Sequence, residues 1–465
     1  MKNSKIRILS LSIEHLKNVQ YGSFDFQQEA LPAKAFDQSS VIGFYGQNGS
    51  GKTTVIQALG LFKQIAMGHP LWTDMEKCIN LDSNKATISI KFLIKFDDGK
   101  SYHVLYSGTI AKRATYKVGC AFAAEKLSVA SEVAGKIPGR MTNLFSYELN
   151  FDDKPNFTPK ARYDSIVKGQ EKKIQASVAM RISQEKKTSL LFSPDFFALL
   201  KDSEETEMIE IVQAINSYAN FNLFTITGVH SGLISMDAVI PLSVKYRHKD
   251  ATAIGDIPIG QQGPITVNEQ IFDLTESVLA SMADVLGALV PGLSIEPMIY
   301  GRELMNDGSM GVRYELVSVR QDKRLPIRYE SEGVRKILSV LNLIIAMYNN
   351  DSFCVAIDEL DAGVFEVLLG DLLKVIMESG KGQLVFTSHN LRPLEILDKQ
   401  NIVFTTTNPD NRYIHLKNIR PTNNLRDCYI RALNIGGQDE PLAAETKFHL
   451  IRRALRNSGV KDGQH

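Results

Sequence analysis

The sequence predicts an α/β fold: a parallel sheet covered by helices on both faces and interrupted by an inserted domain of α+β or helical character. Three observations lead there. In the C-terminal third, helical and strand patterns alternate, the order a covered parallel sheet requires. A glycine-rich stretch, "GQNGSGKT" at 46–53, stands between an apolar strand pattern and an apolar helix pattern. Between about residues 120 and 265 the periodicity weakens, Pro and Gly scatter, and a charged stretch runs from Lys154 to Lys187.

The elements follow in order. Residues 6–13 alternate apolar and polar like a half-buried strand, and 21–26 can pair with it. Residues 41–46, "VIGFYG", read as a central strand. The helix after the glycines carries Val55, Ile56, Leu59, Phe62 and Ile65 on one face. Two strand patterns flank Asp97-Asp98-Gly99 as a β-hairpin. In the weak region "EMIEIVQAINSYANF" reads as helix. A clearer helix spans 268–290, with Ile271, Leu274, Val278, Met282, Val285 and Leu289 at helical steps. "PGLSIEPMIYG", "GVRYELVSVR" and "LPIRYES" read as strands, followed by helix 333–349, strand 353–357, helix 364–378, strand 383–388 and a short helix. No internal repeat or long heptad array interrupts this order.

Composition sets limits. Hydrophobic residues make up 44% and charged residues 23%, ordinary for a globular chain. A net charge of +1 argues against an overall cationic nucleic-acid binder. Cys78, Cys120, Cys354 and Cys428 form no CxxC pair, so neither a zinc site nor a disulfide framework is expected. The opening residues are too polar for a signal peptide, and no apolar run is long enough to span a bilayer, so a cytoplasmic protein without a membrane partner is expected.

Four motifs carry chemistry. Gly46, Gln47, Asn48, Gly49, Ser50, Gly51, Lys52 and Thr53 fit the phosphate-binding loop G-x-x-x-x-G-K-[ST], with Thr54 next in the helix. Its glycines let backbone N–H groups point inward, and the helix N-terminus adds partial positive charge. Lys52 reaches the β- and γ-phosphates, and the Thr53 hydroxyl can bind Mg²⁺. In "FCVAIDELDAG" a buried strand delivers Asp358 as a second Mg²⁺ ligand and Glu359 as a base for the attacking water; an acidic helix cap is the bland alternative. In "TSHN", His389 falls at the end of another buried strand, where ligands bind in α/β sheets. In "YESEGVRKIL", Ser331 and Gly333 precede an apolar helix. A hydroxyl, a glycine and a helix N-terminus suit a second phosphate site, and since the first already has its lysine, this one serves another subunit's nucleotide. Ser331 as a plain N-cap is the alternative, and an N-cap can do both jobs.

These motifs in this order resemble the ABC-type ATPases, and within them the branch of SMC, RecF and double-strand-break-repair proteins. The resemblance covers roughly residues 5–115 and 290–405. It implies a P-loop NTPase head split by an insertion: 1–115 the first half of the head, 116–290 the insertion, 291–420 the second half and 421–465 a helical tail. It implies that Gly46–Thr54 is Walker A, Ser331–Gly333 the signature, Asp358 and Glu359 Walker B, Asp361 the D-loop residue and His389 the switch. Lys17, in "HLKN", stands where the branch often has a basic residue. ATP with Mg²⁺ is the implied cofactor, sandwiched head-to-tail in a homodimer or higher homo-oligomer. The signature departs from the transporter pattern at Glu330 and Glu332. The family's Q-loop glutamine has three candidates, Gln170, Gln175 and Gln184.

The chain also resembles small bacterial ATPases related to the OLD proteins, found in anti-phage systems such as PARIS, which pair an ATPase with a nuclease or toxin. The roughly 75 residues after His389 are too few for a fused nuclease, so such an effector is expected in trans. A transporter subunit is disfavoured by the roughly 300 residues between Walker A and Walker B, a small GTPase by the lack of N-K-x-D, and a long-armed DNA clamp by the lack of heptads. The alternative is a RecF-like repair ATPase that touches DNA itself through Lys154, Lys160, Arg162, Lys168, Lys172, Lys173, Lys186 and Lys187.

Overall fold

The computed structural model describes residues 3–26, 35–112, 119–132, 140–149, 154–248, 251–420, 423–444 and 447–460. Nineteen strands, numbered β1–β19 along the chain, form four sheets among the described residues. The fold is α/β. Its centre is a six-stranded sheet in the order β19-β18-β3-β17-β16-β9. Four of these strands lie parallel to β3 (Ser40–Tyr45): β17 (Gln383–Thr387), β16 (Cys354–Ile357), β9 (Leu223–Ile226) and β18 (Ile402–Thr405). Only β19 (Tyr413–Ile414) runs antiparallel. Strands β3, β16, β17 and β18 are buried at every residue, which explains their unbroken apolar runs.

A second sheet of seven antiparallel strands stands opposite: β2 (Val19–Asp25), β1 (Ser4–Leu16), β4 (Lys85–Phe96), β5 (Ser101–Lys112), β6 (Cys120–Ser131), β7 (Thr142–Leu149) and β8 (Pro155–Thr158). The expected strand pair at the start of the chain and the hairpin about Asp97-Asp98-Gly99 are both present. The helix Lys52–Ala66 lies in the core between the sheets. Phe62 meets Phe92 and Tyr106 at ring-centroid distances of 5.3 and 5.9 Å. Val55, Ile56, Leu59, Phe62 and Ile65 are all fully buried, and so are Ala58 and Ala66 among them.

The segment 116–290 does not fold as one insertion. Strands β6–β8 continue the antiparallel sheet past residue 115, and β9 joins the central sheet beside β16. Glu125 is the anchor here. Its buried carboxylate accepts from Tyr106 Oη at 2.7 Å, Ser189 Oγ at 2.5 Å and Leu190 N at 2.8 Å, tying the turn after helix Gln170–Lys186 to the sheet. Burial, the larger influence, pushes the carboxyl above its ordinary pKa, and these donors pull it back.

A third core follows. The hairpin β10 (Val239–His248) and β11 (Ala251–Gly260) and the antiparallel set β12 (Ile265–Asn268), β14 (Met310–Arg320), β13 (Ser294–Leu304) and β15 (Lys323–Pro326) pack with helices Glu269–Leu289 and Glu332–Asn349. These strands belong to their own sheets, not to the parallel one. "LPIRYES" is strand only to Pro326; residues 327–329 form a 3₁₀ turn that leads into the helix cap. Among the described residues no helix is long and apolar enough to cross a membrane.

Candidate functional site

Three neighbouring strands end at one place. β3 and β16 are separated only by β17, so the glycine loop, the Asp358-Glu359 pair and His389 all follow the C-terminal ends of adjacent parallel strands. This is where ligands sit in open α/β sheets. Lys17, Asn18, Asn48, Gly49, Lys52 and Thr53 line a cavity of about 650 Å³ there, together with Glu359 and His389.

The loop is held in a shape that glycine allows. Gly46 and Gly51 have φ of 152° and 95°, and a Cβ on Gly46 would fall 1.8 Å from Thr405 Oγ1. Residues remote in sequence fasten it. Tyr413 Oη donates to Gly51 O at 2.9 Å, Arg412 Nη2 to Asn18 O at 2.6 Å and Ala444 N to Gln47 Oε1 at 2.9 Å. Ser50 Oγ shares a hydrogen bond with Thr405 Oγ1, and Asn18 Nδ2 donates to Gly49 O. Lys52 Nζ folds onto the loop, donating to Gly46 O at 2.8 Å and Gln47 O at 3.2 Å. Burial pushes the Lys52 pKa down, while Asp358, Glu359 and Asp361 oppose that.

The acidic side is equally defined. Thr53 Oγ1 donates to Asp358 Oδ1 at 3.2 Å, and Thr387 Oγ1 donates to the same oxygen at 2.7 Å. Glu359 N donates to Thr387 Oγ1 at 2.8 Å. Glu359 has φ of 50°, a left-handed conformation that costs a non-glycine residue about 1–2 kcal/mol; it turns the exposed carboxylate into the cavity. Asp361 Oδ2 accepts from His389 N and Asn390 N, each at 2.9 Å, so one carboxylate fixes the segment after β17. Thr53 and Asp358 together offer one hydroxyl and one carboxylate oxygen side by side. Mg²⁺ takes few protein ligands and completes its shell with phosphate and water oxygens, so this donor set fits it. Among the described residues no group of three or more His, Cys, Asp and Glu could hold a metal by itself.

Ser331 and Gly333 do not line this cavity. Ser331 is exposed and caps helix Glu332–Asn349, its Oγ accepting from Val334 N at 3.3 Å. Gly333 has a neighbour in its own chain: a Cβ there would lie 2.0 Å from Gly363 O. The helix therefore rests directly on the turn that follows Asp361. Lys336, 2% exposed, donates from Nζ to Ser231 Oγ at 2.5 Å. Its pKa is lowered by burial against the opposing pull of Glu359, Asp358, Asp361 and Glu332.

The glutamine candidates are corrected. Gln170, Gln175 and Gln184 lie on helix Gln170–Lys186, and none lines the cavity. The strand beside β16 is β9, and the residues at its end are Thr227 and Gly228; a Cβ on Gly228 would lie 3.7 Å from Asp358 Oδ2. Sequence reasoning also missed Asn18, Thr405, Arg412 and Tyr413, since polar residues without a motif give no signal until the sheet brings them to the loop.

No protein-family model matches the chain, and no curated protein matches it. Solved structures do. An SMC head bound to the C-winged helix domain of ScpA is 13% identical, with 88% of this chain and 97% of that chain covered and a TM-score of 0.43. The SMC head domain from Thermotoga maritima is 11% identical, with coverages of 88% and 99% and a TM-score of 0.36. The recombination mediator protein RecF with ATP, from the RecFOR pathway, is 10% identical, with coverages of 89% and 100% and a TM-score of 0.35. At these scores the similarity is one of general architecture and carries no argument about activity or partners.

Proposed function

We propose that the chain is an ATPase that works as a head-to-tail pair, each cavity holding Mg–ATP and each Ser331 facing the nucleotide of the other copy. One observation carries the reading: Lys52, Thr53, Asp358, Glu359 and His389 converge at the ends of three adjacent strands. Lys52 exchanges its two loop carbonyls for the β- and γ-phosphate oxygens. Mg²⁺ held by Thr53 and Asp358 would neutralise phosphate charge. Glu359 orients water and takes its proton, and His389 faces the γ-phosphate across the cavity. Ser331 supports the paired arrangement because its exposed cap stands outside its own chain's cavity.

On this reading hydrolysis is a switch in an assembly, and the output belongs to a separate effector, a nuclease or toxin in anti-phage defence. That assignment rests on the sequence resemblance alone. The DNA-binding alternative loses support on the charged stretch. Arg162 pairs with Glu205 at 3.1 Å, Lys168 with Glu204 at 3.1 Å and Lys172 with Asp202 at 4.0 Å, so three of the eight basic residues named for it stand beside an acid.

Two variants test the ATPase reading. Lys52→Ala should weaken ATP binding at least tenfold by calorimetry, about 1.4 kcal/mol or more; unchanged affinity would count against the loop. Glu359→Gln should bind ATP like the parent and release phosphate about 10²–10⁴ times more slowly. Turnover within a few-fold of the parent would remove Glu359 as the base.

A further inference from the structure

Among the described residues nothing covers the helix Phe448–Val460 over residues 448–458. Residues 447–458 are all exposed, with Phe448 at 75% and Leu455 at 71%. Helical spacing puts Phe448, Ile451 and Leu455 on one face and Arg452, Arg453 and Arg456 on another, and no acidic residue lies between 447 and 460. The arginines have no ion pair among the described residues. A helix of about this length is marginal in water alone, so its apolar face calls for a surface.

The complementary surface is on the same chain. Helix Glu269–Leu289 contains no Lys or Arg. Its outer face presents Asp273, Glu276 and Asp284 around the small residues Ala280 and Ala288, and Val285, 37% exposed, lies toward one edge. Those three acids have no ion pair among the described residues; Glu269 alone is engaged, with Arg302 at 3.2 Å. A 13-residue helix is about 20 Å long and fits within the roughly 32 Å of the 21-residue acidic one.

Within one copy the two helices are not packed together, since residues 447–458 are exposed throughout. The basic helix is leashed at the phosphate loop, because Ala444 N donates to Gln47 Oε1 and only three residues separate Ala444 from Phe448. The acidic helix packs in the other core, against the helix that carries Ser331 and Gly333. A head-to-tail pair brings the phosphate loop of one copy to the Ser331 helix of the other, and so brings basic helix to acidic helix. We propose that Phe448–Val460 docks on the acidic face of Glu269–Leu289 of a second copy, tying assembly to the phosphate loop through the Ala444–Gln47 bond. This rests on the head-to-tail reading above.

The test uses the full chain carrying Glu359→Gln with Mg–ATP, its mass read by sedimentation. A tail variant (Arg452→Glu, Arg453→Glu, Arg456→Glu) and a face variant (Asp273→Lys, Glu276→Lys, Asp284→Lys) change only exposed side chains, and circular dichroism checks that both are folded. Each alone presents like charges at both contacts and should dimerise at least tenfold more weakly. Mixed in equal amounts, they are complementary at both contacts and should recover the parent's dimer. Dimers insensitive to either reversal, or a mixture of folded variants that stays monomeric, would overturn the docking and leave the head-to-tail reading standing. A Glu359→Gln parent that stays monomeric with ATP would overturn both.

Discussion

His103 sits on β5 with 4% exposure, and neither ring nitrogen has a hydrogen-bond partner among the described residues. Burial, helped by Lys91, pushes its pKa from 6.5 to about 4. The folded chain therefore keeps this ring neutral where the unfolded chain protonates it. Stability is full above 6.5 and is lost as the pH falls toward about 4, by about 1–3 kcal/mol. His103→Leu should flatten that part of the stability-versus-pH curve in denaturant titrations; an unchanged slope would show that other groups set it. At the same scale, the left-handed backbone of Glu359 is kept in Glu359→Gln, so that variant's melting temperature should match the parent's and its lost turnover can be read as chemistry.

Among the elements, the Ser331 helix and the turn after Asp361 act as one unit because two glycines meet. Gly333→Ala puts a methyl group 2.0 Å from Gly363 O, where a backbone carbonyl cannot yield cheaply. The expected cost is about 1–3 kcal/mol in chemical denaturation. Hydrolysis should fall more than ATP affinity, since the turn holds Asp361 and, through it, the backbone of His389. Equal stability of parent and variant would mean that the helix and turn separate freely. The sequence disclosed the helix and the motif, but not what Gly333 packs against. Its contact with Gly363 lies across the fold and leaves no local trace. The same logic divides the rest. Strands β3, β16 and β17 of the central sheet were legible because burial on both faces makes each an apolar run, whereas the equally buried β18 was not read. β6–β8 and β9 were not, because one is a lone short strand and the others alternate weakly between scattered glycines, so only pairing with β5 and β16 defines them. "LPIRYES" misled because Ile327 alone of its apolar residues is buried, and it lies in a 3₁₀ turn rather than in a strand.

At the scale of the molecule, the Lys52–Thr53–Asp358–Glu359 cluster was fully legible, since each residue sits in a spaced motif at a strand end. The route by which the body clamps that cluster, through Thr405, Arg412, Tyr413 and Ala444, was not, because those residues come from the far end of the chain. What neither motif nor clamp supplies is a second hydroxyl and helix N-terminus at the γ-phosphate; a partner's Ser331 would supply it. The most direct measurement is the steady-state ATPase rate of Ser331→Arg at saturating ATP, with nucleotide affinity measured on the same protein. If each chain's phosphates rest on its own Gly46–Thr54 loop, ATP affinity should stay near the parent's while hydrolysis falls to background. Full hydrolysis by Ser331→Arg would contradict the composite site and leave Ser331 as no more than the cap of its helix.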